Sequence, residues 1–421
     1  MTKPQASHPS PWALRFISVE AASGVMLLAA AAIALTWANS PLAHVYEALW
    51  QRRLSLGAAL LPAYDLHFWV NDGLMSIFFL LVGLEIRREI HDGALSDPRV
   101  AALPIIAAAG GVLVPALSYL LVGGGALVRR GWAVPTATDI AFALGVLSLI
   151  PRVPRALRML LLTLAIADDL AAILIIAFFY SGGIVPGQFL TIAAGVALVL
   201  LLQALGVRPA LAYVLPGALV WLGMLRAGLH PALTGVVLGL LTPVTAEFGR
   251  SARRPREPPG AVPATAADPP SAPDSPVVRV EAMLHPYVAF GIMPLFAFAN
   301  AGVSLGRLDL GAGAPLAVCS GVVLGLVLGK PIGIVLAALT AVRLKLCELP
   351  PGVQWRHMVL LGILGGIGLT MSVFIADLAF EDRALLAAAK FAVLLASAIA
   401  ATFGFLLGRS QSTAAPLNPR A

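Results

Sequence analysis

Charge is scarce in this chain. Asp, Glu, Lys and Arg together make up 12% of its 421 residues, about half the share of a soluble domain. Apolar residues make up 59%, against roughly 45–50% in soluble domains, and mean hydropathy is +0.91. This excludes an ordinary soluble globular protein. The apolar excess falls in repeated blocks of about 20 residues, each long enough to span a bilayer. Cysteine is nearly absent: Cys319 and Cys347 lie in or beside apolar runs and read as small core residues, not as a disulfide or metal pair. Acidic residues are outnumbered, and the net charge is +7. That excess does not point to nucleic acid, because basic loops beside membrane spans produce the same bias. No separable targeting segment stands out. Ser18 to Trp37 follows Lys3 and Arg15 and has the look of a signal peptide, but the many spans behind it favour a retained first helix.

Twelve candidate spans follow the apolar blocks, near 18–38, 67–88, 101–123, 134–150, 157–180, 187–206, 209–225, 229–243, 286–304, 315–340, 355–376 and 385–408. The fold class is therefore an all-α polytopic membrane protein of about 12 transmembrane helices. The organisation is a cytoplasmic N-terminus over 1–17, spans one to eight over 18–243, a cytoplasmic Pro-rich loop over 244–284, spans nine to twelve over 285–408, and a cytoplasmic tail over 409–421. With the N-terminus inside, inner segments hold 19 of the 28 Lys and Arg and outer segments seven; Lys330 and Lys390 fall within spans. This bias predicts both termini in the cytoplasm. Residues 249–278 are rich in Pro, Ala and Arg and read as a disordered insertion. The outer loop 44–66 holds Leu54, Leu56 and Gly57, a weak hairpin signal.

Against this scarcity, the charges inside the spans carry the information. Asp168 and Asp169 stand side by side near the centre of LRMLLLTLAIADDLAAILIIAFFY, 157–180. One charge at the bilayer centre costs about 2.5–3.5 kcal/mol on insertion scales. An adjacent pair therefore implies a partner, a wet cavity or a bound cation, and the default reading is an ion or proton path. Consecutive helix residues point about 100° apart, so one aspartate can face a cavity while the other faces a neighbouring helix. Lys330 lies centrally in an apolar run, too deep to snorkel as lysines near helix ends do. It predicts a partner: an aspartate or a broken-helix carbonyl end.

Two spans are interrupted. In AVPTATDIAFALG, Pro135 removes a backbone donor, Thr136 and Thr138 offer hydroxyls, and Asp139 follows at once. In GILGGIGLTMS, Gly362, Gly365, Gly366 and Gly368 weaken a helix interior, and Thr370 follows. Paired interruptions in the two halves are the sequence mark of a midplane transport site. Broken helices leave dipole ends in the membrane, and Asp139 and Lys330 have the charges to compensate them. A carboxylate binds protons, and hard cations also prefer oxygen ligands. A site tuned near neutral pH that holds one or the other, combined with alternating access, is an antiporter.

These stretches resemble one family, the bacterial sodium/proton antiporters of the NhaA type. They are FFLLVGLEIRREI (78–90), GWAVPTATDIAFALGVL (131–147), LAIADDLAAILIIAFFY (164–180), LRAGLHPALTGVVLG (225–239), HPYVAFGIMPLFAFANAGV (285–303), GKPIGI (329–334) and GGIGLTMSVFIADLAF (365–380), in order. The family is a standard example of inverted-topology repeats with two broken crossing helices. The resemblance implies electrogenic, pH-regulated exchange of one Na+ or Li+ for two H+ at the bacterial inner membrane, with no cofactor. It implies that Asp168 and Asp169 bind cation and proton. Asp139 and Thr138 would lie at the helix crossing, and Lys330 would pair with Asp168 and could itself exchange a proton. Glu85, Arg88, Glu89, Glu281, His285 and His230 would form a cytoplasmic funnel and pH sensor, and the outer loop 44–66 would make a homodimer. Two departures bear on pH response: Ala282 stands where the best-known member has a second histidine, and the loop before Glu281 carries the long Pro-rich insertion. On residues alone, Glu85, Arg88 and Glu89 read as a solvated helix end with i,i+3 and i,i+4 pairs. His230 and His285 read as interfacial histidines that titrate in the relevant range.

Two other classes compete. Intramembrane aspartyl proteases carry one Asp on each of two helices, in YD and GxGD motifs. The chain has no GxGD, and its one Tyr-Asp pair, Tyr64-Asp65, lies in the outer loop. A sodium-coupled organic-acid symporter would place Asn, Gln or Ser at the crossing, where this chain has Thr136, Thr138, Asp139 and Thr370.

Overall fold

The computed structural model describes residues 11–54, 63–183, 185–207, 209–244, 275–311 and 313–413. They are helical almost throughout. Among the described residues eight helices are long and apolar enough to cross a membrane: Leu66–Asp92, Pro98–Val122, Arg155–Phe179, Pro186–Ala204, Ala210–Ala227, Pro276–Asn300, Ala314–Arg343 and Arg383–Gln411. After the helix Pro11–Ala38 the chain breaks and bends by 117° into the short helix Ala43–Trp50. The remaining segments expected to span are the short helix Leu233–Leu241 and the two interrupted stretches 126–148 and 355–379. The protein is thus a multi-pass membrane protein, with fewer uninterrupted spans than the apolar blocks suggest.

The chain divides into two compact units. The first comprises Met1–Asn71, Asp97–Tyr180 and Ala289–Ala421; the second comprises Asp72–Ser96 and Ser181–Val288.

In the first unit the helix Pro98–Val122 is central. Asp97 starts it by accepting from the Arg99 amide at 2.9 Å, and Pro98 occupies the first turn, where its missing N–H costs nothing. It packs along Lys330–Arg343 and Arg155–Phe179. The first of these contacts is backbone against backbone: a methyl at Gly110 would collide with the carbonyl of Gly333 and the side chain of Ala337. Small residues allow such approach between membrane helices, where packing rather than water expulsion drives association.

The span carrying Lys330 is not a uniform helix. Ala314–Leu324 is α-helical, Gly325–Gly329 winds as a π-turn, and Lys330–Arg343 resumes the α-helix. Similar π-turns occupy Trp69–Leu74 and Val288–Ile292.

In the outer segment, Arg53–Leu54 pairs antiparallel with Tyr64–Asp65, Arg53 opposite Asp65 and Leu54 opposite Tyr64. Leu54 is therefore in a short strand pair, while Leu56 and Gly57 lie outside the described residues. The preceding helix Ala43–Trp50 has no counterpart in the expected hairpin.

In the second unit, Met75–Asp92 packs on Leu233–Leu241 with Gly235 set against the Ser76 carbonyl, and Pro276–Tyr287 packs on Met75–Asp92. The helix Pro276–Tyr287 begins ten residues ahead of the expected span start at 286, and it carries His285 together with Glu281, which was expected in the loop 244–284. The bulk of the Pro-rich segment 249–278 lies outside the described residues.

Candidate functional site

Both interrupted segments break at the expected residues. The first runs from Ala126–Arg129 through a 3-10 turn, Arg130–Thr136, into extended Ala137, and restarts at Ile140–Ser148. The second stops at Gly365 and restarts at Met371–Ala379. The breaks meet: the Asp139 amide donates to the Ile367 carbonyl at 2.6 Å.

Asp139 stands where two helix N-termini converge. Oδ1 accepts from the Phe142 amide at 3.0 Å and so caps Ile140–Ser148. Oδ2 accepts from the Thr370 hydroxyl at 2.6 Å and the Thr370 amide at 3.2 Å, at the start of Met371–Ala379. A carboxylate there compensates two partial positive ends.

The opposite ends, rich in carbonyls, meet the cation. Lys330 Nζ donates to the Thr136 carbonyl, at the end of the 3-10 turn. It also donates to Asp168 Oδ2 at 2.8 Å, with both side chains fully buried. The Thr138 hydroxyl lies 2.7 Å from that same Oδ2 and 2.9 Å from the Gly365 carbonyl, the end of Trp355–Gly365. Lys330, Thr138, Asp168 and Asp139 thus form one knot in the first unit, each at most 1% exposed.

The valences are uneven. Asp168 Oδ2 takes two donors, whereas Oδ1 is buried and has no hydrogen-bond partner among the described residues. Gly111 faces it: a methyl there would stand 3.8 Å from Oδ1. Asp169, 2% exposed, follows on the same helix and lies close enough to interact electrostatically with Lys330. Two carboxylates therefore act on one ammonium. A buried carboxylate oxygen left without a donor is costly and is an open ligand position for a proton or a hard cation.

The remaining expected residues lie in the second unit. Arg88 donates to Glu281 Oε1 at 2.6 Å. Glu89, 6% exposed, accepts from the Ala94 amide at 2.7 Å and closes the end of its own helix. Glu85 lies on that helix one turn before Glu89, and His285 lies one turn beyond Glu281. His230 Nε2 lies 3.5 Å from Asp72 Oδ1.

A further ionic cluster escaped the sequence reading. Lys390 Nζ donates to Asp377 Oδ1 at 2.8 Å and to Asn300 Oδ1 at 2.9 Å. Asn71 donates to Asp377 Oδ2 at 3.3 Å, Asn300 donates to Asn71 at 2.8 Å, and His67 Nε2 lies 3.0 Å from Asn300. The signal was present: Lys390 falls within a span and Asp377 within the motif IADLAF, and intramembrane charges seek each other.

Broken helices that cross around buried carboxylates are the architecture of a secondary active transporter, not of an enzyme. Comparison with known proteins agrees. The family described as Na+/H+ antiporter 1 matches residues 14–407. A Na(+)/H(+) antiporter NhaA of Cupriavidus necator is 54% identical over 416 residues, covering 93% of this chain and 88% of the relative. Na(+)/H(+) antiporter NhaA 2 of Pseudomonas putida is 53% identical over 415 residues, covering 94% and 92%. The NhaA protein of Bartonella tribocorum is 48% identical over 425 residues, covering 94% and 91%. The chain belongs to the Na+/H+ antiporter 1 family.

Proposed function

We propose that the protein exchanges Na+ or Li+ for H+ across the bacterial inner membrane, with both termini in the cytoplasm. The observation that carries this reading is Asp168: one oxygen held by Lys330 and Thr138, the other buried with no donor. Asp168 and Asp169 bind either the transported cation or protons. Lys330 holds the empty site together and is displaced when a cation takes its place. Two protons per Na+ make the exchange electrogenic, the second proton being shared among coupled groups. Alternating access turns the competition into transport: a cation bound from one side excludes protons, and protons bound from the other expel the cation. Asp139, bonded to both restarted half-helices, holds the crossing in register.

Glu85, Arg88, Glu89, Glu281, His285 and His230 make up the pH-responsive funnel. The Arg88–Glu281 pair supports this role, since only part of it is shielded from water: the side chains are 34% and 11% exposed. The strand pair in 44–66 is the dimer contact.

The test uses everted vesicles acidified inside, with Na+, Li+ or K+ added across about pH 6.5–8.5, bracketing neutrality. Collapse of the pH gradient by Na+ and Li+, lost in Asp168→Asn and Asp169→Asn, is the expected result. An unchanged gradient with every cation, from protein shown to be folded and inserted, would overturn the reading in favour of an organic-acid symporter.

A further inference from the structure

At the end of the membrane helices that carries the C-terminal turn of Arg383–Thr413, the first unit holds a cavity of about 220 Å³. Its walls include Arg152, Arg356, His357, Gln354 and Gln411, and no lining residue is acidic. The volume lies below the ~300–1,000 Å³ of sites that enclose whole organic ligands.

The sequence folds this way for local reasons. Pro151 and Pro154 end one helix and precede the next, and the turn between them places Arg152 at φ 57. On the other side Gly352, φ 81, turns the chain into Trp355–Gly365. Two helices thus begin at the cavity, Arg155–Phe179 and Trp355–Gly365, and the first has no side-chain cap. Their partial positive ends add to the two arginines. The Gln354 amide donates to His357 Nδ1 at 3.1 Å, which leaves Nε2 as the hydrogen-bearing nitrogen of a neutral ring. Gln411 fastens the last helix to this rim by donating to the Arg356 carbonyl at 3.0 Å. Arg356 and Arg152 are both exposed to solvent.

We infer that this cavity is a phosphate-anion site that takes the phosphodiester headgroup of an anionic phospholipid. Paired guanidinium groups suit phosphate oxygens in geometry as well as in charge. Basic pockets between membrane helices hold such headgroups. The surroundings suit the rest of the lipid: Leu149 and Leu406, each within two residues of the lining, are 61% and 58% exposed. Acyl chains would lie along that apolar surface. Neither the transported ions nor the Asp168 knot has any use for a cationic cavity.

The test is thermal unfolding of the full chain in a neutral maltoside detergent. One arm adds phosphatidylglycerol, with phosphatidylcholine as control; the other adds inorganic phosphate or glycerol phosphate. Phosphatidylglycerol is expected to raise the midpoint more than phosphatidylcholine does. The apparent affinity is expected to fall about fivefold for each arginine removed in Arg152→Gln and Arg356→Gln, while Arg343→Gln leaves it unchanged. Should the double variant fail to fold, Arg356→Glu carries the test: a glutamate in the first helical turn favours the helix, so loss of the lipid response there reports the cavity alone. A shift produced equally by free phosphate, and lost in the same variants, would overturn the lipid assignment in favour of a soluble anion. An undiminished phosphatidylglycerol response in the arginine variants, or no response to any phosphate, would overturn the site itself.

Discussion

The first unit contains two lysine–aspartate pairs of equal length, 2.8 Å each, and they are built to opposite ends. Around Lys390 and Asp377 one positive charge meets one negative charge, and the spare valences go to the amides of Asn71 and Asn300. Around Lys330, Asp168 and Asp169 are adjacent on one helix, Asp139 sits at the crossing, and Asp168 Oδ1 has no hydrogen-bond donor among the described residues. The first arrangement is satisfied and has nothing to bind. The second is short of positive charge and has an oxygen to offer. Ion pairing inside the membrane therefore does not by itself mark a transport site; on the function proposed above, the unspent carboxylate valence is what sets the two clusters apart.

The largest effect should come from breaking the transport side of this contrast. Asp168→Asn keeps the shape, removes the charge and is expected to lower Na+-driven proton movement by about 100-fold, the equivalent of about 2.7 kcal/mol. Asp377→Asn should leave exchange within about tenfold of the original, measured in the same vesicles, since its partners are amides and a lysine that carry no cargo. If both variants lost exchange alike, the distinction between the two clusters would collapse.

On the stability side the order reverses. Lys390→Ala strands Asp377, and breaking a buried pair in this way costs about 3–5 kcal/mol. A lowered thermal midpoint in detergent would register it. The double variant Lys390→Met with Asp377→Leu should recover much of that loss, because removing both charges leaves no unpaired group. Recovery of less than half would mean that the amides, not the ion pair, hold these helices.

A smaller change should come from Thr370→Val, which keeps volume and removes the hydroxyl that donates to Asp139. A hydrogen bond to a charged group contributes about 1.5–3 kcal/mol. The expected result is a raised apparent KM for Na+ with the maximal rate changed less, read from gradient collapse against Na+ concentration. Smallest of all should be Arg88→Gln, measured by unfolding. Its pair with Glu281 is part exposed, and such pairs contribute less than about 1 kcal/mol to stability.

The intramembrane charges were legible in the sequence because each is an exception in an apolar run. The breaks were legible because Pro135 and the cluster Gly362 to Gly368 interrupt helices for known stereochemical reasons. The pairing was only partly so. A lysine at position 330 announces that it needs a partner, but its choice of Asp168 over Asp139 depends on Asp139 being taken up by the half-helix Ile140–Ser148 and by Thr370. The bond from Thr370 to Asp139 joins residues 231 positions apart, and nothing local encodes it. Residues facing lipid and residues facing protein are both apolar here, so periodicity does not reveal which helices touch. For the same reason the Asn71–Asn300–Asp377–Lys390 cluster went unread, although each member was in view. The early start of the helix Pro276–Tyr287 was hidden by the Pro-rich composition immediately before it.

The π-turn at Gly325–Gly329 has a consequence for heredity as well as for geometry. A π-turn is an α-helix with one residue too many. The wide turn absorbs that residue, so Lys330 keeps its angle to the helix ahead of it. If Gly325–Gly329 rewound as a regular α-helix, everything beyond would swing by about 100°. Lys330 would then turn away from Asp168 although no charged residue had been altered. A mutation that touches neither charge nor cargo, and only favours tight winding in this stretch, is therefore equivalent to losing the lysine; the width of one turn is as much a part of the site as its side chains.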